Sequence, residues 1–174
     1  MAYIKVADKI IIQSKTAWFN DRIMDAAQQL ICQALGLEYQ SVLNIQNQKT
    51  FYPVVHAEHV QILHDGCNHW FLSLCSNGRV QICDSLKSKL SRLSLKCIRS
   101  LFKHCDDDKG KTVVSFLSVQ RQLDGYNCGP FTIAYAAELL DGKSPLDARF
   151  DVSKMRRHVL TCLESQSLTP FPKE

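Results

Sequence analysis

The sequence lacks several features that would place it in a specialised class of protein. None of its apolar runs approaches the roughly 18 residues that span a bilayer, so we expect no membrane role. The N-terminus has only a three-residue isoleucine run and no small-residue cleavage site, which argues against a secretory signal. The formal net charge of +4 is mild and spread out, without the dense Lys/Arg stripe of a nucleic-acid-binding protein. Internal repeats and low-complexity segments are also missing.

Cysteine is plentiful, but its spacing does not indicate disulfides or metal. The eight cysteines are scattered through a chain too large to need disulfide staples. We therefore expect reduced thiols in an intracellular compartment, the nucleus or the cytoplasm. No Cys-x-x-Cys pair occurs. The sequence has only isolated Cys/His couples, namely Cys67 with His69 and His104 with Cys105. The His-Ala-Glu-His segment at 56–59 lacks the spacing of a helical zinc motif. We expect no metal and no other cofactor.

The length of 174 residues fits a single domain, 1–174, and the order of the predicted elements indicates an α+β or mixed α/β layered fold. Asn20 and Asp21 are candidate caps at the start of the first predicted helix, and Gly36 closes it. The tail, about 165–174, is expected to be loosely ordered. Helical spacing predicts helices at 16–36, near 88–104, from 128 to about 140 and at about 151–164. Extended segments are predicted at 60–64, 69–75, 79–84 and 112–119.

A predicted hairpin brings a histidine close to a carboxylate. Asn77 and Gly78 lie between two apolar-rich runs and predict a two-residue type I′ turn. With that turn, Phe71 lies opposite Asp84, and His69 points to the same face as Phe71 because side chains alternate along a strand. His69 and Asp84 are then diagonal neighbours about 7–8 Å apart, within reach of their side chains. The carboxylate can fix the tautomer of the imidazole and stabilise its positive charge.

Cys128 lies where a polar turn becomes an apolar helix, in the stretch QRQLDGYNCGPFTIAYAAELL. A helix start supplies N–H groups and the positive end of the macrodipole, and both favour a thiolate, as does a nearby imidazolium. The N–H of Cys128 and the side-chain amide of Gln122 are candidate donors to an oxyanion, and Gly129 would let a substrate backbone approach. Taken singly, His69, Asp84 and Cys128 are each commonly structural residues. Together they favour a nucleophilic site.

The ordered set of motifs resembles the catalytic domain of ubiquitin-like-protein-specific cysteine proteases. These are the SUMO and NEDD8 deconjugating enzymes, which are related to the adenovirus maturation protease. In chain order the motifs are Trp-Phe-Asn-Asp (18–21), His69-Trp70, Asp84-Ser85 and Gln122 to Gly129. They extend over most of the chain. The resemblance implies an α+β, papain-like fold of the adenain type, in which helices flank a mixed central sheet.

The resemblance also implies a role for each candidate catalytic residue. Cys128 would be the nucleophile, His69 the general base and then the general acid, and Asp84 the residue that orients the imidazole. Gln122 would be the oxyanion donor. The sequence departs from the family pattern at Asn127, where the family commonly has aspartate, and the residue before Asp84 is not the usual aromatic.

Other residues are implied on the substrate side. Trp18 and Trp70 would flank a narrow tunnel that accepts a Gly-Gly tail, because larger side chains there would clash with indole. Asp21 would support this side of the site, although it fits a helix cap equally well. Trp18 also fits a simple core position. Gly129 would face the substrate backbone.

The function implied is a cysteine peptidase or isopeptidase that cleaves after Gly-Gly. Its partner would be a ubiquitin-like protein, SUMO- or NEDD8-like, or a conjugate of one, and we expect a monomer with no nucleic-acid or membrane partner. Two alternatives stay open. Effector acetyltransferases resembling this family use a similar Cys/His/acid set, although the sequence gives no clear cue for a basic CoA pocket. The other alternative is a catalytically silent module that binds ubiquitin-like proteins, and the presence of Cys128, His69, Asp84 and Gln122 together argues against it.

Overall fold

Helices precede and follow a small sheet in the protein, whose structure is a computed structural model that describes residues 3–43, 53, 58–86 and 89–174. Its elements are α1 (Val6–Gln13), α2 (Asp21–Leu35), β1 (His59–His64), β2 (Trp70–Ser76), β3 (Arg79–Cys83), α3 (Arg92–Leu101), β4 (Val114–Phe116), α4 (Cys128–Leu140) and α5 (Val152–Ser165). A 3₁₀ turn, Lys103–Cys105, follows α3. Residues 56 and 57 of the His-Ala-Glu-His segment lie outside the described residues. In the described part of the chain, no helix is long and apolar enough to cross a bilayer.

The strands form a mixed four-stranded sheet in the order β1-β2-β3-β4. β2 pairs antiparallel with both β1 and β3, and β4 pairs parallel with β3. Nearly all side chains of β2 are buried, because the sheet is covered on both faces. Trp70, Leu72 and Leu74 face the core formed with α2 and α4, while Phe71 and Cys75 face a second apolar cluster under α3. The predicted α+β class is therefore confirmed.

The hairpin between β2 and β3 has the predicted turn and register. Asn77 and Gly78 have φ angles of 51° and 70°, the left-handed values that both central residues of a type I′ turn adopt. The pairing runs from Ser76 opposite Arg79 to Leu72 opposite Cys83. This register places the residues that follow β3 beside the start of β2.

Helix α4 lies at the centre of the fold. Its side chains are buried from Cys128 to Glu138, and it packs against β2, α2 and α5. A helix that is apolar all round is expected in such a central position, where every face meets another element. Consequently the first residue of α4 is held by the core rather than by a surface loop.

The ends of α2 decide between the two candidate N-caps and test the predicted C-cap. Asn20 is the N-cap, because its Oδ1 accepts a 3.0 Å hydrogen bond from the N–H of Ile23. Asp21 is the first helical residue, so the interpretation of Asp21 as the cap is wrong. The predicted stop at Gly36 is confirmed by its φ of 64°, a left-handed C-cap conformation that glycine adopts without a steric penalty.

Two terminal segments differ from the expectations. The sequence patterns did not predict α1, because Ile10 to Ile12 are β-branched; the helix forms by packing on α5, with Ile12 buried. The tail is packed rather than loosely ordered. Phe171 lies buried against Phe150, with ring centroids 6.2 Å apart, and Lys173 Nζ donates a 2.7 Å hydrogen bond to Glu138.

Candidate active site

His69 and Asp84 lie together at one end of the sheet. His69 immediately precedes β2 and Asp84 immediately follows β3, so the hairpin register places them side by side. His69 Nε2 lies 2.8 Å from Asp84 Oδ1, and the two residues are only 5% and 2% exposed. A carboxylate accepts hydrogen bonds, so Nε2 is the nitrogen that carries the proton toward Asp84. The predicted diagonal pair is thus in direct hydrogen-bond contact.

The loop before His69 is shaped by Asp65, which the sequence did not single out. One oxygen of its carboxylate, Oδ1, accepts hydrogen bonds from the N–H groups of Cys67, Asn68 and His69, at 2.8, 3.1 and 3.1 Å. The N–H of Asp65 donates to the carbonyl of His69 at 3.0 Å. An aspartate that accepts from several following N–H groups stabilises a tight turn. Asp65 therefore fixes the backbone of the histidine.

Cys128 is the first residue of α4, and its buried thiol lies close enough to the imidazole of His69 to help raise the pKa of that ring. Because Nε2 of the imidazole faces Asp84, Nδ1 is the ring nitrogen left to meet the sulfur. The sulfur and the carboxylate therefore both lie beside the imidazole. The three candidate residues, which come from a helix start and the two ends of a hairpin, are brought together as predicted.

The environment of His69 favours its positively charged form. Burial lowers the pKa of the imidazole, but the hydrogen bonds and negative charge of Asp84 and Cys128 outweigh burial and raise that pKa from 6.5 to about 9. At neutral pH the ring is therefore an imidazolium. An imidazolium beside a cysteine at a helix start is the setting in which a thiolate nucleophile is stabilised.

Gln122 is held in one orientation by its neighbours. Its Oε1 accepts a 2.5 Å hydrogen bond from Ser85 Oγ, and its Nε2 donates a 2.7 Å hydrogen bond to the carbonyl of Asp124. The backbone N–H of Gln122 also donates to the carbonyl of Ser85 at 3.1 Å. Because the carbonyl of Asp124 needs a donor, the amide cannot be flipped. One of its two N–H donors is used in this way, and the second can serve an oxyanion.

Asp124 organises the turn that leads into Cys128. Its Oδ1 accepts from the N–H groups of Tyr126 and Asn127 at 2.9 and 2.8 Å, and its Oδ2 accepts from Asn127 Nδ2 at 2.8 Å. This Asx-type turn sets the path of the backbone just before the helix. Asn127, which replaces the aspartate common in the resembled family, takes part through its side chain.

Arg156, on α5, is a further residue that the sequence did not reveal. Its Nε donates a 2.8 Å hydrogen bond to Asn127 Oδ1, and its terminal nitrogen donates to the carbonyls of Ala17 and Tyr126 at 2.7 and 3.2 Å. The guanidinium also lies over the ring of Phe19, 5.0 Å from its centroid. Burial lowers the pKa of Arg156, an effect opposed by nearby negative groups that include Cys128. Arg156 thus joins the segment before α2 to the turn before Cys128.

The two tryptophans occupy different environments. Trp70 is buried, and its Nε1 donates a 3.0 Å hydrogen bond to the carbonyl of Phe19. Trp18 is 54% exposed, and its Nε1 donates a 2.8 Å hydrogen bond to the carbonyl of Gly125 in the turn before Cys128. A core position for Trp18 is therefore wrong. A tunnel between the two indoles stays a prediction.

Gly129 meets a protein side chain. A Cβ atom at this position would lie 2.9 Å from Cβ and Cδ2 of Phe19, too close for any larger residue without a shift of the ring. The structure therefore explains this glycine by the packing of Phe19 against the start of α4. Its contact with a substrate backbone stays a prediction. Leu123, which the sequence did not single out, is fully exposed beside Gln122.

Comparison with known proteins identifies the fold. No family model and no curated protein matches the sequence. The SUMO protease Ulp1 with its catalytic cysteine oxidised to a sulfenic acid matches with a TM-score of 0.68 and 18% identity, over 97% of this chain and 86% of that one. The Ulp1 protease domain in complex with Smt3, the yeast ortholog of SUMO, matches over the same shares with a TM-score of 0.65 and 18% identity.

A third solved structure extends the comparison to another organism. The catalytic domain of the Chaetomium thermophilum Ulp1-like SUMO protease matches with a TM-score of 0.57 and 17% identity, over 87% of this chain and 74% of that one. The fold is thus the α+β, papain-like fold of cysteine proteases. More narrowly, it is the fold of the Ulp1-like SUMO protease domains.

Proposed function

We propose that the chain is a cysteine peptidase or isopeptidase that cleaves after the C-terminal Gly-Gly of a ubiquitin-like protein. The observation that carries the proposal is the His69 imidazole, which is hydrogen-bonded to Asp84 and lies beside Cys128 at the start of α4. The likeness of the fold to SUMO proteases supports a SUMO- or NEDD8-like substrate. We place the activity inside the cell, in the nucleus or the cytoplasm.

The first half of the reaction forms a thioester. The Cys128 thiolate attacks the carbonyl carbon of the terminal glycine, and the carbonyl oxygen becomes an oxyanion. Gln122 Nε2 and the N–H of Cys128 donate hydrogen bonds to that oxyanion. The His69 imidazolium then gives its Nδ1 proton to the leaving amine, which departs as the carbon–nitrogen bond breaks.

The second half hydrolyses the thioester. His69, now neutral, takes a proton from water at Nδ1, and the resulting hydroxide attacks the thioester carbonyl. The carbon–sulfur bond breaks, which frees the thiolate of Cys128 and releases the glycine carboxylate. Asp84 accepts the Nε2–H hydrogen bond throughout, so the ring keeps the orientation that both proton transfers need.

The substrate tail would reach Cys128 along an apolar surface. Trp18 and Leu123 are exposed side chains next to the turn that precedes the nucleophile, and Trp18 is held there by its hydrogen bond to Gly125. Indole beside the path admits glycine, which has no side chain, and excludes larger residues. Trp70 and Asp21 support this side from beneath, at the starts of β2 and α2.

The decisive experiment uses SUMO, NEDD8 and ubiquitin that carry a C-terminal vinyl sulfone or propargyl group. We expect at least one of them to form a covalent adduct with the wild-type chain, and none to react with Cys128→Ala. Cys67→Ser is the matched control, because Cys67 is an exposed thiol outside the site and its replacement should leave labelling unchanged.

Two results would overturn the proposal. One is that none of the probes labels Cys128 and the wild-type chain instead transfers acetyl groups from labelled acetyl-CoA. The other is binding of a ubiquitin-like protein that persists in Cys128→Ala while the wild-type chain shows no turnover of a Gly-Gly fluorogenic substrate.

A further inference from the structure

A second cluster of reactive side chains lies at the end of β2 opposite to His69. Cys75 is near the end of that strand, and His104 and Cys105 come from the 3₁₀ turn after α3. Cys75 lies six positions after His69, which corresponds to about 20 Å of extended strand. The cluster is therefore separate from the candidate active site. Cys75 and Cys105 are buried, and His104 is exposed.

The two cysteines form a disulfide in the structure, which differs from the expected reduced thiols. Their Cα atoms are 7.5 Å apart. Disulfide-bonded cysteines usually have Cα atoms about 4.4–6.8 Å apart, so the backbone holds this pair wider than a disulfide prefers. A metal ion between two thiolates requires more room than a direct sulfur–sulfur bond. The backbone spacing thus suits metal ligands.

The imidazole of His104 completes the geometry. His104 Nε2 lies 3.5 Å from Cys75 Sγ and 3.3 Å from Cys105 Sγ. In a tetrahedral zinc site, with Zn–S of about 2.3 Å and Zn–N of about 2.0–2.1 Å, sulfur and nitrogen ligands lie about 3.6 Å apart. Both distances are close to this value. We propose that Cys75, His104 and Cys105 bind one Zn²⁺ ion when the two cysteines are reduced.

The charges of such a site balance. Each thiol releases one proton when its sulfur binds the metal, so Zn²⁺ and two thiolates form a neutral unit, which can be buried at low desolvation cost. The sulfur atoms must move apart to about 3.8 Å, the separation of two thiolates on tetrahedral zinc. The exposed side of His104 gives the ion a path from solvent.

The fourth position of the site would be open to solvent. The ligand atoms of Cys75, His104 and Cys105 lie within 4.8 Å of one another, and no other donor among the described residues joins this group. His104 is exposed, so a water molecule can reach the fourth position. Three protein ligands and one water are a common coordination set for zinc.

Such an ion would join two parts of the fold. Cys75 belongs to the central strand β2, while His104 and Cys105 belong to the turn that follows α3. The cluster borders the apolar contacts of Phe102, Ile98 and their neighbours under α3. Zinc would therefore stabilise the packing of this face of the sheet, with no direct part in chemistry at Cys128.

The test is a metal titration of the full chain, reduced with a phosphine and freed of metal. We expect one Co²⁺ or Zn²⁺ per chain, a thiolate-to-cobalt charge-transfer absorption, and a higher melting temperature with zinc. Cys75→Ser, Cys105→Ser and His104→Ala should each weaken zinc binding at least tenfold, and the two serine variants should lose charge-transfer intensity.

Two controls make the result specific. Cys97→Ser replaces another buried cysteine of the same apolar cluster, and Cys128→Ala removes the proposed nucleophile. Both should bind one zinc with wild-type affinity. Absence of stoichiometric binding to the reduced chain, or equal loss in Cys97→Ser, would overturn the zinc site. If a serine variant fails to fold by circular dichroism, His104→Ala, at an exposed position, still decides the question.

Discussion

The hydroxyl of Ser85 donates a 2.5 Å hydrogen bond to the side-chain oxygen of Gln122. Ser85 directly follows Asp84, so a single turn after β3 holds both the proposed catalytic acid and the hydroxyl that orients the amide of Gln122. Ser85 would therefore contribute to the proposed site by fixing that amide. The orientation of the amide depends on this turn as well as on the loop that leads to Cys128.

Replacement of Gln122 by alanine should slow the reaction without abolishing substrate binding. Removal of one oxyanion donor typically lowers kcat about 10²–10³-fold, because the donor acts on charge that develops only in the transition state. KM should change little. Ser85→Ala should cause a smaller loss of kcat, since the amide remains but is no longer fixed. Gln33→Ala, an exposed glutamine on α2, is the control. Equal rates for Gln122→Ala and Gln33→Ala would exclude the oxyanion role.

Asp84→Asn should nearly abolish turnover while the protein stays folded. Asparagine keeps the shape of the side chain but can present an N–H to His69 Nε2, which favours the wrong tautomer, and in a serine protease triad this change costs about 10⁴-fold in kcat. Hydrolysis of a Gly-Gly fluorogenic substrate measures the loss. Asp108→Asn, on an exposed loop, should have wild-type rates. A loss of less than about tenfold in Asp84→Asn would contradict the orienting role.

The free energy of unfolding should depend on pH through His69. Its pKa is raised from 6.5 to about 9 in the folded state, so the folded protein holds this proton more tightly than the unfolded chain. The resulting stabilisation is fully present below about pH 6.5 and is lost as the pH rises through about 9. Urea unfolding of the wild type and of His69→Ala across this window measures the difference. Parallel curves for the two proteins would show that the histidine titrates normally.

Arg156→Ala should lower both stability and kcat, because three segments lose their common donor. The buried Asn127 Oδ1 would cost about 1–3 kcal/mol if left unsatisfied, and the half-buried carbonyl of Ala17 would cost less. Arg157→Ala, the exposed neighbour on α5, is the matched control. Arg156→Lys should recover part of the stability but less of kcat, because an ammonium cannot reproduce the planar set of donors. A purely structural role would lower the melting temperature while kcat of the folded fraction stayed unchanged.

The parts of the site that could be predicted from the sequence rest on local rules. The Asn77-Gly78 turn fixes the register of the hairpin within a few residues, and the register alone brings His69 to Asp84. The transition from a polar turn to an apolar run also marks the start of α4 at Cys128. Turn chemistry and helix periodicity are short-range, so a single sequence is enough to recognise them.

The parts that could not be predicted depend on contacts between distant segments. Arg156 meets Asn127, 29 positions earlier, only because α5 packs beside α4. His104 likewise meets Cys75 across 29 positions, and no short motif signals such a pair. The packed tail and α1 follow the same rule, since each is ordered by its contact with elements far along the chain. In these segments tertiary packing outweighs a weak local propensity.

The dependence of the Cys128 turn on α5 has a consequence for synthesis. A chain that is still being translated presents its thiol, its imidazole and its carboxylate before Arg156 has emerged to bind Asn127, Ala17 and Tyr126. Until the last helix docks, the turn before the nucleophile lacks the donor that joins it to the segment ahead of α2. The proposed site would thus reach its folded geometry only after α5 has been synthesised and has docked.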